Sequence, residues 1–315
     1  MNPNKICIIV LNYNGKKDTL ECLESLSKLT FKKVTTLVID NGSKDDSVLA
    51  IREKFPDVPI LETNENLGFA EGNNIGIRWA LKKPFEWILL LNNDTVVAPS
   101  FLEAFLETAN QYPKAKILGA KIYLYDDPTR LDHLGGSWNE SIGNFELIRK
   151  TISDTQIESQ VLDYVCGACL FMHRTVAETI GLLEPKFFLI WEEADYCFRA
   201  KRKGFEVRTS PNAKIWHKVS ASFSGKKPHT HYFWWRGRLL WIERNLTDGQ
   251  KEKLKPLLRK EILKMVRHFL IKSIICLFSN KPKRVEQMRL NRAGLLGVFH
   301  YYLKRFGNCP QWIAK

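Results

Sequence analysis

The apolar run Trp87–Leu91 ends abruptly at three polar residues, Asn92, Asn93 and Asp94. Five consecutive residues of the kind that proteins bury are typical of a central strand in a parallel sheet, which is covered on both faces. Ligands of open α/β sheets bind beyond the carboxyl ends of the strands. A carboxylate and two amides at such an end suit a hard divalent cation that also holds substrate phosphates. The triplet is also ordinary turn chemistry, so it needs support from the rest of the chain.

Short apolar runs alternate with helical patterns over about the first 220 residues, which indicates βαβ units and an α/β fold with a mostly parallel, Rossmann-like sheet flanked by helices. The predicted strands are Ile6–Leu11, Val34–Ile39, Pro59–Glu62, Trp87–Leu91, Tyr164–His173, Glu206–Thr209 and Ala213–His217. The predicted helices begin at Asp18, Ser43, about Asn74, Ser100, Arg174 and Glu192. Asp18 with Glu21, and Ser100 with Glu103, have the spacing of capping boxes.

The net charge of +14 is concentrated in the last 65 residues. Residues 251–315 contain 16 Lys and Arg against 3 acidic residues, a net charge of +13, so the preceding 250 residues carry only +1. The βα alternation also stops there, and we predict a domain boundary between residues 1–250 and a basic helical tail, 251–315. Such asymmetry indicates an anionic partner, either a membrane or nucleic acid.

Within this tail, residues 262–278 are apolar with Lys264, Arg267 and Lys272 at helical spacing. This pattern predicts a helix that lies on an anionic membrane surface. The alternative is a solvated basic face that packs on the first domain. No apolar stretch reaches the length of a membrane span, no secretory signal is recognised, and the seven cysteines are scattered. We therefore expect a cytoplasmic protein, peripheral on the inner face of the cell membrane.

Three predicted strands end in polar clusters, which parallel strands would place on one rim of the sheet. Asp40 could accept hydrogen bonds from a ribose or base, as an acidic residue does in dinucleotide folds. No G-x-G-x-x-G follows the first strand, which argues against a hydride-transfer enzyme. A glycine-containing loop, Asn64–Asn74, offers close backbone approach and amide donors. The residues predicted to bind a ligand at this rim and loop are Asn12, Tyr13, Asn14, Asp40, Asn41, Asn66, Gly68, Asn73, Asn92 and Asn93.

A cluster of carboxylates, Glu192, Glu193 and Asp195, begins a predicted helix. Acidic residues in a first turn can simply complement the helix dipole. However, Glu192 and Asp195 share one helix face whereas Glu193 points elsewhere, so one carboxylate could serve acid–base chemistry while its neighbours hold the helix or bind a hydroxyl. His217 ends a strand at the same sheet edge. Although a lone histidine is more often structural, His217 could supply a second ligand to a cation at Asp94.

Two further motifs have competing interpretations. Cys166 and Cys169 are spaced like a redox or zinc pair, but they lack a second pair and lie in an apolar run, so we favour close backbone approach at Gly167. The segment His231–Arg238 follows a predicted mobile loop, Ser222–Thr230. Its Arg236 and Arg238 could bind a diphosphate and its aromatic rings a sugar. For most of these aromatic residues we favour packing of an amphipathic helix.

Six motifs, in this order along residues 5–245, resemble the inverting family-2 glycosyltransferases with the GT-A fold, especially their bacterial rhamnosyltransferase-like branch. The motifs are Val10–Gly15, Val38–Ser43, Asn66–Ala70, Leu90–Asp94, Glu192–Arg199 and Ile215–His217. Each is unspecific alone, but together they are specific.

The resemblance implies a role for each matching position. Asp40 and the first-strand amides would contact the nucleotide. Asp94, which closes the family's D-x-D-like triplet, and His217 would hold Mg²⁺ or Mn²⁺ on the donor diphosphate, and Glu193 would be the catalytic base. The chain departs from the family in having Asn92-Asn93-Asp94 at the triplet and Glu192-Glu193 where the family has a Glu-Asp pair. The second departure leaves open which glutamate is the base.

The implied function is transfer of a sugar from a nucleotide-sugar donor to a glycan or polyprenyl-diphosphate-linked acceptor by metal-assisted direct displacement. We favour rhamnose from dTDP-rhamnose on the branch resemblance alone. A UDP- or GDP-sugar donor on the same fold is the nearest alternative. A nucleic-acid-binding protein that uses the basic tail and the Trp234-Trp235 region is the rival from another class. Under the favoured interpretation no nucleic-acid partner is expected.

Overall fold

The computed structural model describes residues 5–148, 158–218, 227–278 and 282–314. These residues form two units. The described parts of Met1–Ser137, Glu146–Glu184 and Glu193–Val219 make up an α/β unit, and those of Trp138–Phe145, Pro185–Glu192 and Ser220–Lys315 make up a helical unit.

A nine-stranded sheet forms the centre of the α/β unit within the described residues. The described strands are β1 (Ile6–Asn12), β2 (Val34–Asp40), β3 (Ile60–Glu62), β4 (Trp87–Asn92), β5 (Thr95–Val97), β6 (Ala115–Leu124), β7 (Leu131–His133), β8 (Gly136–Asn139), β9 (Asn144–Leu147), β10 (Cys169–His173) and β11 (Glu206–His217). The order in the large sheet is β3-β2-β1-β4-β10-β6-β11-β5, with β7 beside β6, and β8 pairs separately with β9.

Helices flank the sheet in the α/β unit, and further helices make up most of the helical unit. They are α1 (Lys16–Ser27), α2 (Ser47–Lys54), α3 (Gly68–Leu81), α4 (Phe101–Gln111), α5 (Arg174–Ile180), α6 (Glu192–Arg202), α7 (Pro228–Asn245), α8 (Asp248–Phe278), α9 (Pro282–Tyr302) and α10 (Gln311–Ala314). Over the described ranges, none of them combines the length and apolarity that crossing a bilayer demands.

The first four strands in the chain run parallel and bring their polar ends to one rim, as predicted. In the register of β1 with its neighbours, Asn12 lies opposite Asp40, and Leu11 lies opposite Asn92. Residues 6–10 of β1 and 87–91 of β4 are almost fully buried, because helices cover both faces of the sheet. The antiparallel strand β10 then separates β4 from β6.

Three predicted helix starts are wrong. The first helix begins at Lys16. The side chains of Asp18 and Glu21 do not cap this helix but bind the Lys218 ammonium. The second helix begins at Ser47, because the Ser43 hydroxyl bonds to rim residues. The Asn64–Asn74 segment is a loop only as far as Leu67, and α3 begins at Gly68. Ser100 does occupy the position before α4, but its side chain makes no capping bond.

The strand predictions also need correction. Cys166–Ala168 turn before β10, so that strand begins at Cys169 rather than at Tyr164. The two closing strands are one strand, β11, with a register shift between Thr209 and Lys214. Strand β6 was not predicted. The predicted mobile loop Ser222–Thr230 lies outside the described residues as far as 226, and Pro228 already belongs to α7.

In the helical unit, α7 packs on α9 through aromatic and aliphatic side chains. Tyr232 and Phe233 form one cluster with Ala293, and Trp235 forms another with Met265. Helix α7, which the sequence analysis placed in the first domain, therefore groups with the basic helices α8 and α9. Helices α8 and α9 occupy the described part of residues 251–315, and the division into two domains at residue 250 stays a prediction.

Candidate active site

The strand ends are joined by a network of side-chain hydrogen bonds. Asn12 Nδ2 donates to Asp40 Oδ1 at 2.7 Å and to the Ser43 hydroxyl at 3.1 Å. Its Oδ1 accepts from the Thr19 hydroxyl at 2.7 Å, and Asn93 Nδ2 donates to that same hydroxyl at 2.9 Å. Asn12 is buried and therefore holds the rim together. These contacts fix β1, β2 and β4 relative to one another before any ligand binds.

A second network orders the loop that leads into α3. The Asn41 amide donates to the Asn66 side chain and to the Gly68 carbonyl, and its Oδ1 accepts from the Leu67 N–H at 3.1 Å. Gly68 has φ +82°, in the region that favours glycine. Asn41 and Asn66 therefore shape the loop, and Gly68 permits the sharp entry into the helix.

The predicted nucleotide-binding residues differ in what they offer to a ligand. Tyr13 and Asn14 are exposed at the rim, with Tyr13 at 47%. Asp40 is 3% exposed and accepts hydrogen bonds from Asn12 and the Ser43 N–H. Asn73 is 1% exposed and donates to the Phe69 carbonyl within α3, so no described contact brings it to the rim.

The predicted cation ligands, Asp94 and His217, are neighbours. His217 Nε2 lies 3.1 Å from Asp94 Oδ1, and Lys218 N–H donates to the Asp94 carbonyl at 3.0 Å. The register of β11 with β5 places His217 opposite Thr95, immediately beyond Asp94. No group of three or more His, Cys, Asp or Glu side chains suited to a metal occurs in the described residues. One carboxylate and one imidazole fit a divalent cation whose other ligands come from a diphosphate and water.

Lys218, which the sequence analysis did not identify, sits beside this pair. Its ammonium donates to Asp18 at 2.7 Å and to Glu21 at 2.6 Å, both on α1. The hydrogen bond from Lys218 lowers the pKa of the Glu21 carboxyl below its ordinary value. Lys218 therefore ties the end of β11 to α1, which keeps His217 in place.

The carboxylates at the start of α6 have different surroundings. Glu192 is 4% exposed and Asp195 is fully buried, whereas Glu193 is only partly buried. Asp195 accepts from Arg199 Nε at 2.8 Å, and the same guanidinium donates to the Ile180 and Leu182 carbonyls. Asp195 thus anchors the helix, and Glu193 is the most accessible carboxylate of the three.

Glu193 lies close to the end of β4. A Cβ atom placed on Gly167 would lie 3.6 Å from Glu193 Cβ and 3.7 Å from Phe69 Cε1. The next residue, Ala168, accepts the Asn92 N–H at 3.0 Å. Burial chiefly raises the pKa of the Cys166 thiol, and the negative charges of Glu193 and Asp94 act in the same direction. Glu193 and the end of β4, two residues before Asp94, therefore both border one short loop.

That loop contains the two cysteines of the apolar run. Cys166 and Cys169 are both free thiols, and burial raises the pKa of each. Raised pKa values disfavour the thiolate that metal binding and redox exchange require. At Gly167 the backbone of this loop therefore lies next to the Glu193 side chain.

Arg236 and Arg238 do not suit the predicted binding of a diphosphate. Both are 1% exposed. Arg236 donates to the Tyr232 hydroxyl and to the Gly307 carbonyl at 2.6 Å. Arg238 donates to the carbonyls of Ile142 and Gly143 and to Glu261. Most of their donors are used inside the helical unit, since only Nε of Arg236 is without a hydrogen bond among the described residues, and we do not propose the two arginines as ligands of the substrate.

Residues 7–181, more than half of the chain, match the family described as Glycosyl transferase family 2. The chain belongs to this family. It is a glycosyltransferase, as the motifs of the strand ends and of α6 predicted.

Curated relatives of the chain include rhamnosyltransferases. N-acetylglucosaminyl-diphospho-decaprenol L-rhamnosyltransferase of Mycobacterium tuberculosis (strain ATCC 25618 / H37Rv) is 24% identical over 272 residues, which cover 75% of this chain and 88% of the relative. The dTDP-rhamnosyl transferase RfbF of Shigella flexneri is 24% identical over 225 residues, 70% of each chain. At this identity they support the rhamnosyltransferase-like branch without fixing the donor.

Solved structures confirm the GT-A fold. The mannosyltransferase PcManGT from Pyrobaculum calidifontis, in complex with GDP-Man and Mn²⁺, matches with a TM-score of 0.57 at 11% identity, over 96% of this chain and 89% of that one. S. aureus TarS 1-349 in complex with UDP matches with a TM-score of 0.56 at 14% identity, over 95% and 92% of the two chains. At such low identity the likeness concerns the fold alone.

Proposed function

We propose that the protein is an inverting rhamnosyltransferase that uses dTDP-rhamnose and a lipid-linked glycan acceptor in the synthesis of a surface polysaccharide. The observation that carries this proposal is the pairing of Asp94 with His217 just beyond the end of β4, where the Cys166–Ala168 loop contacts both β4 and Glu193. The relatives' names, which specify L-rhamnosyl transfer to a diphospho-decaprenol-linked sugar and dTDP-rhamnosyl transfer, support the choice of substrates.

In this proposal the rim binds the nucleotide. Tyr13 offers an exposed ring on which a base can stack, and Asp40 offers carboxylate oxygens that the Asn12 network already orients. Asp94 and His217 would hold Mg²⁺ or Mn²⁺. When bound, the cation neutralises charge on the leaving nucleoside diphosphate.

Glu193 acts as the base. The acceptor hydroxyl attacks the anomeric carbon from the face opposite the diphosphate, its proton passes to the Glu193 carboxylate, and the bond from the anomeric carbon to the diphosphate oxygen breaks with its electron pair. A single displacement of this kind inverts the anomeric centre and needs no protein nucleophile. Asp195 and Arg199 hold the helix that carries Glu193.

The surface of α8 supports a location at the cytoplasmic face of the membrane. Leu263, Leu270 and Ile274 are 66%, 54% and 59% exposed and follow one another along a single stripe of the helix. Arg267 lies within that stripe and Lys264 beside it, both exposed. Apolar side chains interleaved with cations fit an anionic lipid surface. We propose that this surface brings the enzyme to its lipid-linked acceptor.

A nucleotide-sugar panel tests the donor. Thermal unfolding would be followed with dTDP-rhamnose and with UDP- and GDP-sugars, each with Mn²⁺, Mg²⁺ or EDTA. A ligand at 100 times its Kd stabilises a protein by about 2.7 kcal/mol, which is readily measured. Stabilisation by dTDP-rhamnose above the others, followed by rhamnose transfer to a polyprenyl-diphosphate-linked acceptor, is expected. A preference for a UDP- or GDP-sugar would replace the donor and keep the fold.

The cation site has its own test. Asp94→Ala and His217→Ala should each weaken Mn²⁺-dependent binding of dTDP while the protein remains folded. His268→Ala, which removes an exposed histidine of α8, is the matched control and should bind as the unmodified protein does. Unchanged Mn²⁺-dependent affinity in both site variants would remove Asp94 and His217 as ligands.

A further inference from the structure

Three of the four residues before α6 have an uncommon backbone conformation. Phe188, Ile190 and Trp191 have φ values of 63°, 70° and 81°. Positive φ is unfavourable for side chains with a Cβ atom, and most of all for β-branched and bulky residues such as Ile190 and Trp191. Such conformations persist only where the surrounding structure determines them. We name Phe188–Trp191 the pre-helix segment.

Aromatic packing inside the helical unit determines this conformation. The Phe188 ring stacks on Phe233 of α7, with centroids 5.3 Å apart and an interplanar angle of 10°. The Trp191 indole lies 5.5 Å from the Phe145 ring and 6.0 Å from that of Trp241. Both ends of the pre-helix segment are therefore fixed by rings of their own unit.

Gly237 of α7 makes the closest approach to this segment. A Cβ atom at position 237 would lie 2.7 Å from Trp191 Cδ1 and 3.0 Å from the Ile190 carbonyl oxygen. The first distance is shorter than side chains tolerate, and the second involves backbone that cannot turn aside. Helix α7 can thus support the pre-helix segment at this distance only because residue 237 has no side chain.

The chain on either side of the segment is also held. Before it, Leu183 exchanges two hydrogen bonds with the Asn74 side chain, each at 3.0 Å. After it, Asp195 of α6 is bound to Arg199. The pre-helix segment leads directly into α6, and Glu192 and Glu193 are the first two residues of that helix.

We infer that Gly237 and Trp191 are positioning residues for the Glu193 carboxylate. They touch no substrate; they set the backbone from which Glu193 projects. This inference rests on the proposed role of Glu193 as the base. Because misplacement of a reacting group by about 1 Å can cost on the order of 10²-fold in rate, a shift of the pre-helix segment should act on kcat and leave donor binding intact.

The test compares Gly237→Ala with Gly294→Ala. A Cβ atom at Gly294 would lie 2.8 Å from Met265 Sδ and from Trp235 Cδ1, so the second variant disturbs packing in the same unit to a similar degree, away from Trp191. Gly237→Ala should lower kcat roughly 10- to 100-fold with unchanged Kd for dTDP and Mn²⁺. Gly294→Ala should keep the kcat of the unmodified protein. Equal kcat in the two variants would overturn the inference.

Two measurements keep the inference testable without turnover. Hydrogen–deuterium exchange of peptides covering residues 188–196 should rise in Gly237→Ala and not in Gly294→Ala; unchanged exchange in both would overturn it. Ile190→Gly should melt above Ile190→Ala, because only glycine accepts a φ of 70° without penalty. A lower melting temperature for Ile190→Gly than for Ile190→Ala would show that the backbone at position 190 is not strained. An unmodified protein that turns over no nucleotide sugar would instead contradict the proposed function, and the exchange measurement would still decide whether Gly237 holds the pre-helix segment.

Discussion

The rim of the α/β unit and the core of the helical unit both concentrate polar side chains, but they use them differently. At the rim, Asn12, Asp40 and Asn93 bond mainly to other side chains, next to exposed residues such as Tyr13. In the helical unit, Arg236 and Arg238 are buried and donate largely to backbone carbonyls. The first arrangement leaves a prepared surface, and the second joins segments of chain.

The comparison shows why residue type alone does not identify a ligand site. Arginine is the residue best suited to bind a diphosphate, yet burial lowers the pKa of both guanidinium groups, and most of their donors already have acceptors. Asp94 and His217 are common residue types, but their side chains lie next to each other at the end of a strand. The groups that surround a side chain decide its role, and five predictions test this contrast.

The largest effect is expected at Glu193. Glu193→Gln should keep donor affinity and lose transfer by roughly 10²–10⁴-fold, the range of general-base catalysis. Steady-state transfer rates and the Kd for dTDP with Mn²⁺ would be measured for this variant and for Glu192→Gln, which changes the more buried neighbour in the same way. If Glu192→Gln loses transfer and Glu193→Gln does not, the base has been assigned to the wrong glutamate.

The next largest effect is expected at Arg238, whose replacement should lower the free energy of unfolding and leave binding of the donor unchanged. Arg238→Met leaves the Ile142 and Gly143 carbonyls without their donor and should lower the free energy of unfolding by about 2–3 kcal/mol. Urea unfolding would measure the loss, with Arg289→Met, an exposed arginine of α9, as the control. A folded Arg238→Met protein that no longer binds dTDP would restore the diphosphate role predicted from the sequence.

These two regions also differ in how far the sequence predicts them. The apolar run before Asn92 and the parallel β1, β2 and β4 follow from local periodicity, and so does their common rim. The partners of Asp18, Glu21 and Ser43 do not, because the competing partner is distant in sequence: Lys218 lies about 200 residues from Asp18. The three-residue spacing of Asp18 and Glu21 predicts a capping box, but both side chains bind the Lys218 ammonium, which only folding of the sheet brings close to them.

Strand β6 and Arg238 illustrate the other limit. Strand β6 was not predicted, since Lys116 and Lys121 interrupt its apolar pattern although Lys121 is 3% exposed in the structure. The acceptors of Arg238 lie 95 and 96 residues away in a loop, and no periodicity signals them. Positions set by neighbouring strands could be predicted, whereas contacts set by loops and distant helices could not.

A smaller effect is expected at Gly15, where the rim network meets the start of α1. A Cβ atom there would overlap Asn93 Nδ2. Gly15→Ala should therefore displace Asn93 from Thr19 and lower the free energy of unfolding by about 1–2 kcal/mol, the worth of one or two hydrogen bonds. Donor affinity should fall with it. Gly249→Ala, which adds a Cβ into open space, is the matched control. Unchanged affinity in Gly15→Ala would show that the rim tolerates the loss of this contact.

The smallest effects per residue are expected on α8, where exposed apolar and basic side chains are proposed to contact anionic lipid. Each basic residue near such a surface is worth about 1 kcal/mol, so Lys264→Gln with Arg267→Gln should weaken sedimentation with anionic vesicles by roughly 30-fold. High salt should weaken binding of the unmodified protein in the same direction, because it screens exposed charges.

The apolar part of this surface is tested separately. Leu263→Ser with Ile274→Ser should weaken vesicle binding at high salt, where the electrostatic part is screened. Leu49→Ser, which alters a leucine 70% exposed on α2 of the α/β unit, is the control and should change nothing. Binding that is as strong with neutral lipid and at high salt would contradict the electrostatic part. No sedimentation of the full chain with any vesicle would leave α8 without a membrane partner, and the contrast between the two units would then rest on Glu193, Arg238 and Gly15.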